Sequence, residues 1–272
     1  MLRLTTQRIA EIQRTALSWY AQNRRDLPWR ETADPYKILV SEIMLQQTQV
    51  SRVVSKYHDF LTQFPTVNDL AAASTADVIR AWKGLGYNRR ALNLQRAARV
   101  VVEHGGTWLS TVEWLRSLPG VGRYTAGAIM NFAFGIDTPA VDTNVRQFID
   151  HFIPSRRSRS ENEYYGLAGQ LIPNGTARIW LHAVMDYTSL VLRPATPRKR
   201  SATPAEPFVG SNRYLRGRTL DQLRNAPQTL AELFTHVAAP LGVDRTRYEQ
   251  LLAALEREGF IHQHGRTLEL AG

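Results

Sequence analysis

Three short segments hold the residue types from which chemistry could be built. In Ile38-Leu-Val-Ser-Glu-Ile-Met-Leu-Gln-Gln-Thr-Gln-Val50, Glu42 is the one charge in an otherwise apolar and amide-rich run. A carboxyl among such neighbours loses hydration, which disfavours its anion, so it can hold a proton near neutral pH and deliver it as a general acid. The plainer alternative is a glutamate on the polar side of an amphipathic helix. Gln46, Gln47, Thr48 and Gln49 follow directly, and amide side chains suit the donor and acceptor edges of nucleobases. In Leu118-Pro-Gly-Val-Gly-Arg-Tyr-Thr-Ala-Gly127, Pro119 closes one helix, Gly120 and Gly122 permit a tight turn, and a second helix opens near Arg123. Exposed N–H groups at such a helix start attract an anion, here a DNA phosphate; the alternative is an ordinary helix–helix turn. In Pro139-Ala-Val-Asp-Thr-Asn-Val-Arg146, Asp142 precedes the helical run Val145, Phe148, Ile149. It reads as an N-cap, where free N–H groups and the helix dipole should keep its carboxylate ionised. The two acids are thus expected to be tuned oppositely, Glu42 as a proton donor and Asp142 as a permanent anion.

Helices must carry these segments. Leu39, Ile43, Val50, Val53, Tyr57 and Phe60 recur at helical spacing, which predicts one face of one long helix. Ser74 with Asp77, and Ser110 with Glu113, fit capping boxes. No stretch up to about residue 192 alternates apolar and polar positions, so this part is expected to be all-α. Residues 193–207, RPATPRKRSATPAEP, hold four prolines and a basic cluster, the composition of a solvated linker. Beyond it, Thr229 with Glu232 caps a short helix, and Arg245–Glu258 forms a second that ends at Gly259. Phe260–Gln263 and Thr267–Leu270 then flank His264-Gly-Arg266 as a hairpin. Helix, helix, hairpin is the winged-helix order, used for DNA binding and for protein contacts alike.

The chain has 272 residues, 43% hydrophobic and 21% charged, which is globular composition and excludes a disordered or fibrous protein. It contains no cysteine, which excludes disulfides, iron–sulfur clusters and thiolate zinc sites. Of the seven histidines only His262 and His264 lie close together, so no metal is expected, nor any cofactor. Thirty-four Lys+Arg against twenty-four Asp+Glu give +10, which points to a polyanionic partner, nucleic acid first and an anionic membrane second. No apolar run approaches the roughly 18 residues of a spanning helix. The first twenty residues imitate a transit peptide but carry Glu11, and they read as a helix of the domain. A soluble, monomeric, cytoplasmic protein is expected, associated with the nucleoid if bacterial or archaeal.

Together with Leu27-Pro-Trp29, Pro35-Tyr36-Lys37, Phe64-Pro-Thr-Val67 and Gly84-Leu-Gly-Tyr87, the three segments, in this order, resemble the helix-hairpin-helix (HhH-GPD) DNA glycosylase superfamily that includes endonuclease III. Within it they are most like the MutY-type adenine glycosylases, from about Leu27 to Asp186. The resemblance implies a glycosylase domain over residues 1–192, with a six-helix barrel lobe at about 30–140 and a second lobe from 1–29 and 141–192. A winged-helix-like domain follows at 208–272. It implies base-excision repair of double-stranded DNA with a mispaired or damaged base: the base is flipped out and its N-glycosidic bond hydrolysed. Adenine opposite guanine or 8-oxoguanine is the implied target. Glu42 matches the residue that protonates the adenine at N7, Asp142 the one that stabilises the oxocarbenium-like sugar, and Asn144 the asparagine beside it. Tyr124 stands where lyase-competent relatives carry a Schiff-base lysine, which implies a monofunctional enzyme. Leu45, Gln46, Gln47, Thr48 and Tyr87 match residues that fill the gap left by the flipped base or touch its partner. Gly120, Val121, Gly122, Arg123 and Thr125 match the phosphate-holding hairpin. Relatives place four cysteines and an iron–sulfur cluster after the matched Met185-Asp186. Here Leu192 stands at the first of those positions, and a cluster-free variant is implied. The alternatives are removal of another base (uracil, thymine, hypoxanthine or an alkylated base) and a DNA-binding protein with an inactive pocket.

Overall fold

The computed structural model describes residues 2–192 and 207–272; most of the expected linker falls outside them. Fourteen α-helices lie within the described residues. They are α1 (Thr6–Asn23), α2 (Pro35–Leu45), α3 (Val50–Gln63), α4 (Val67–Ala72), α5 (Thr75–Ala81), α6 (Arg89–Glu103), α7 (Val112–Ser117), α8 (Arg123–Phe134), α9 (Thr143–Phe152), α10 (Glu161–Leu171), α11 (Ala177–Tyr187), α12 (Asn212–Leu223), α13 (Leu230–Leu233) and α14 (Arg245–Arg257). Three short strands, β1 (Gln228–Thr229), β2 (Ile261–His264) and β3 (Thr267–Leu270), form an antiparallel sheet in the order β1-β3-β2. The chain divides into two compact units, Met1–Gln47 with Thr107–Arg198, and Thr48–Gly106 with Lys199–Gly272. Residues 30–140, expected to lie in one lobe, are thus shared between them.

The helix starts follow side-chain chemistry. Thr66 and Ser160 make reciprocal capping boxes with Asp69 and Glu163, and Ser74 accepts from the Asp77 N–H as expected. The cap of α7 is Thr111 and not Ser110, because Thr111 accepts from the Trp114 N–H. The predicted long helix from Leu39 to Phe60 is two helices. It breaks at Gln46–Gln49, where Gln47 adopts φ +56°, so the amide run sits in a connection. The two sides bury differently. In α2 every residue from Ile38 to Met44 is buried, whereas α3 buries only Val53, Tyr57 and Phe60.

In the first unit α1 packs on α11, α2 on α8, and α7 on α8, around Ile12, Ile38, Leu39, Ile43, Ile129 and Phe148. Asp186, fully buried on α11, takes paired hydrogen bonds from Arg30 at 2.8 Å each and from the Arg25 side chain at 2.6 Å. Burial alone would raise its pKa, but the hydrogen bonds and charge of Arg30 and Arg25 outweigh it and hold the carboxyl below its ordinary range. The second unit joins α3–α6 to the C-terminal elements. There β3 packs against α5, Arg224 donates to the Ile79 carbonyl at 3.1 Å, and Arg96 donates to the Glu258 carbonyl at 3.0 Å. The hairpin and capped helix expected beyond residue 228 are present; α12 and β1 complete the winged-helix order and were not foreseen.

Candidate active site

Pro35 opens α2 behind the Asp34 cap, and the helix carries Glu42 into the interior with 6% exposure. Burial is the main cause that pushes its carboxyl up to about 7. A hydrogen bond donated by the Tyr124 hydroxyl pulls it down, and the nearby Asp142 charge pushes it up again. Tyr124 lies on the facing helix α8 and is itself raised well above its ordinary value by burial and by the two carboxyls, so it stays protonated.

Asp142 caps α9: one carboxyl oxygen accepts from the Val145 N–H at 2.8 Å and the other from the Asn144 amide at 2.7 Å. Its pKa is nonetheless raised, because desolvation outweighs those donors. The expected downward tuning of Asp142 is therefore corrected: both acids move upward, and it is Glu42 that reaches about 7. The approach to Asp142 is held by residues the sequence did not flag. A Cβ on Gly127 of α8 would fall 2.8 Å from the Pro139 carbonyl oxygen and 3.1 Å from the Ala140 Cβ, so only glycine admits this segment. Asn131, also on α8 and buried, donates to the Thr138 carbonyl and accepts from the Thr138 N–H, both at 2.9 Å. A lone amide in the apolar run Ala126–Phe134 is the same kind of signal that singled out Glu42.

The hairpin turn lies between α7 and α8 with Gly120 at φ +84°, and a Cβ at Gly122 would meet only open space. The first N–H groups of α8 emerge from this turn. Gln46 reaches the Gly120 carbonyl at 3.5 Å, which brings two of the predicted recognition segments together in the first unit. Leu45 is half-buried and Gln47 exposed. Three expected hairpin contacts change. Thr125 is 3% exposed and Val121 is buried, so neither side chain has surface left for a phosphate. Arg123 lies flat over the Tyr165 ring at 3.5 Å and donates to Asn162 at 3.0 Å, so its guanidinium is turned toward α10.

Thr48 and Tyr87 belong to the second unit. Tyr87 is 46% exposed and adopts φ +46°, a conformation that costs energy for any residue but glycine. Arg90, which sequence reasoning passed over, holds this loop. It donates to Thr48 at 3.0 Å and to the Leu85 and Gly86 carbonyls at 3.1 Å, and packs over the Trp82 and Tyr87 rings. Burial lowers its pKa to about 10, which leaves it cationic at neutral pH.

Among the described residues no group of three His, Cys, Asp or Glu side chains could hold a metal ion. The iron–sulfur cluster of similar proteins does not fit this chain, which offers no thiolate to bind it.

Residues 40–173 match the model of the HhH-GPD superfamily base excision DNA repair proteins. The chain is 38% identical over 244 residues to an adenine DNA glycosylase of Mycobacterium tuberculosis, covering 80% of each. It is 43% identical over 196 residues to the human adenine DNA glycosylase, covering 66% of this chain and 36% of that one. A solved thermostable thymine-DNA glycosylase superposes with a TM-score of 0.65 at 30% identity, covering 70% of this chain and 90% of the other.

Proposed function

This chain belongs to the HhH-GPD superfamily and is a DNA N-glycosylase; from that premise we propose that it is a monofunctional adenine glycosylase acting on adenine opposite guanine or 8-oxoguanine. In this reading the adenine is turned out of the duplex and its N7 takes the proton of Glu42. The C1′–N9 bond breaks with its electron pair leaving on the base. Asp142 faces the positive sugar that remains, a charge that favours its ionised form despite its burial. Water adds at C1′, and its proton returns to a carboxylate. General acid catalysis of this kind contributes roughly 10²–10⁴-fold, and the anion beside the developing cation adds an electrostatic term. Asn144 and the Val145 N–H position the Asp142 carboxylate. Tyr124 carries no amine, so no Schiff base forms and strand cleavage does not follow.

The observation that carries the proposal is the grouping of Glu42, Tyr124 and Asp142 with the Glu42 pKa near 7. Single-turnover assays on duplexes with adenine opposite guanine or 8-oxoguanine test it. Glu42→Gln should bind DNA normally while release falls by about 10² or more; undiminished release would remove Glu42 from its role. The likeness to a thymine-DNA glycosylase favours one second reading, release of thymine or uracil from mispairs, and the same assay run on those duplexes separates the two. No helix among the described residues is long and apolar enough to cross a membrane, and the cytoplasm, at the nucleoid in a bacterial or archaeal cell, is the proposed place of action for a monomer.

A further inference from the structure

The C-terminal part of the second unit touches the Tyr87 loop. Arg213, on the first turn of α12, donates to the Tyr87 hydroxyl at 3.0 Å. Its guanidinium lies 5.6 Å from the Tyr87 ring centroid and 4.7 Å from that of Phe208. Phe208 is 53% exposed, and Arg213 is exposed as well. The turn that presents Phe208 is fixed. The Ser211 hydroxyl donates to the Phe208 carbonyl at 2.6 Å, the Tyr214 ring packs edge-on at 5.5 Å, and Arg247 of α14 donates to the Gly210 carbonyl at 3.1 Å. Among the described residues no carboxylate pairs with Arg213.

Two large exposed rings and a cation without a counter-charge are costly to present to water and well suited to a nucleobase. Every base has a face that stacks on an aromatic ring, but inside a duplex both faces are covered. A ring pair open to solvent therefore selects an unpaired base, and extruding one nucleotide leaves its partner in that state. A guanidinium only donates. Guanine offers it two adjacent acceptors, O6 and N7, whereas adenine sets a donor beside N7. Because the Tyr87 hydroxyl accepts from Arg213, its own proton is free to reach a further acceptor.

We propose that Phe208, Arg213 and Tyr87 form a reading site for one unpaired base of the DNA, with guanine-type acceptor edges preferred, and that Arg213 determines the specificity. The site rests on the glycosylase reading of the chain, and it gives the C-terminal unit a share in recognition. The test uses the full chain and duplexes that carry a stable abasic analogue opposite each of the four bases, so no turnover is required. Affinity is read by fluorescence anisotropy. Wild type should bind the guanine-opposed duplex about tenfold tighter than the adenine-opposed one, within the range of a bidentate arginine contact. Arg213→Ala and Arg213→Lys should bring that ratio close to one, the lysine variant keeping more of the overall affinity. Phe208→Ala should weaken all four duplexes about equally. A wild-type ratio near one, or a ratio that survives Arg213→Ala, would overturn the proposal; the latter would leave Arg213 as a phosphate anchor or a brace. Preference for guanine together with no release of adenine would instead count against the adenine reading alone.

Discussion

Glu42 and Tyr124 set each other's protonation, and that coupling can be measured at single residues. Burial raises the Glu42 pKa from its ordinary 4.5 to about 7. Between those two values an unfolded chain releases the proton while the folded one keeps it, so folding stability falls as pH rises across that window and is flat beyond it. The cost is on the order of 3 kcal/mol. Glu42→Gln removes it, so the Tm of the variant relative to wild type should climb from pH 4.5 to pH 7 and then level off. A difference independent of pH would mean that Glu42 is not desolvated as described. The Tyr124 hydroxyl donates to the Glu42 carboxylate and so favours the anion. Tyr124→Phe should therefore shift the alkaline limb of the base-release profile upward by roughly 0.5–1 in pH, the worth of one hydrogen bond. A downward shift would reverse the assigned donor. Glu42 was legible in the sequence because one carboxyl stood in an apolar run. The sign of the Asp142 shift was not, because capping donors are visible in sequence whereas burial of the same group is a property of packing.

At the scale of elements, α8 does more than close the hairpin. Gly127 lets the Pro139–Ala140 backbone pass against it, and Asn131 ties down Thr138, so one helix both presents Tyr124 and aims Asp142. Gly127→Ala should push this segment off by several tenths of an ångström. The expected cost is about 1–3 kcal/mol of stability and up to roughly 10² in single-turnover rate, with DNA affinity retained; melting, rate and binding measured side by side would show whether Asp142 alone has moved. The hairpin and α9 were readable because Pro, Gly and capping Asp act locally. The break between α2 and α3 was not, since apolar spacing runs through it without interruption. Only the left-handed Gln47 backbone, which no pattern of side chains announces, parts the two. Arg90 escaped notice for a similar reason: its acceptors are mostly carbonyls, which every sequence possesses.

Across the whole molecule, a net charge of +10 suits a partner made of phosphates. Each compact unit is assembled from stretches distant in the chain. A chain cut after Glu206 should therefore lose more than a recognition accessory. It strips β3 from α5 and removes the partners of the Ile79 carbonyl and of Arg96. Limited proteolysis should then cleave within residues 48–106 at least tenfold faster than in the intact protein; equal resistance would show that α3–α6 stand alone. The same interleaving bears on biosynthesis. Translation is vectorial, and Thr75–Ala81 leaves the ribosome long before Thr267–Leu270 is made. The nascent helices of this unit must wait, incompletely covered, for a late-arriving strand, which makes the interval a target for chaperones and a point where a frameshift far from Glu42 could still abolish repair.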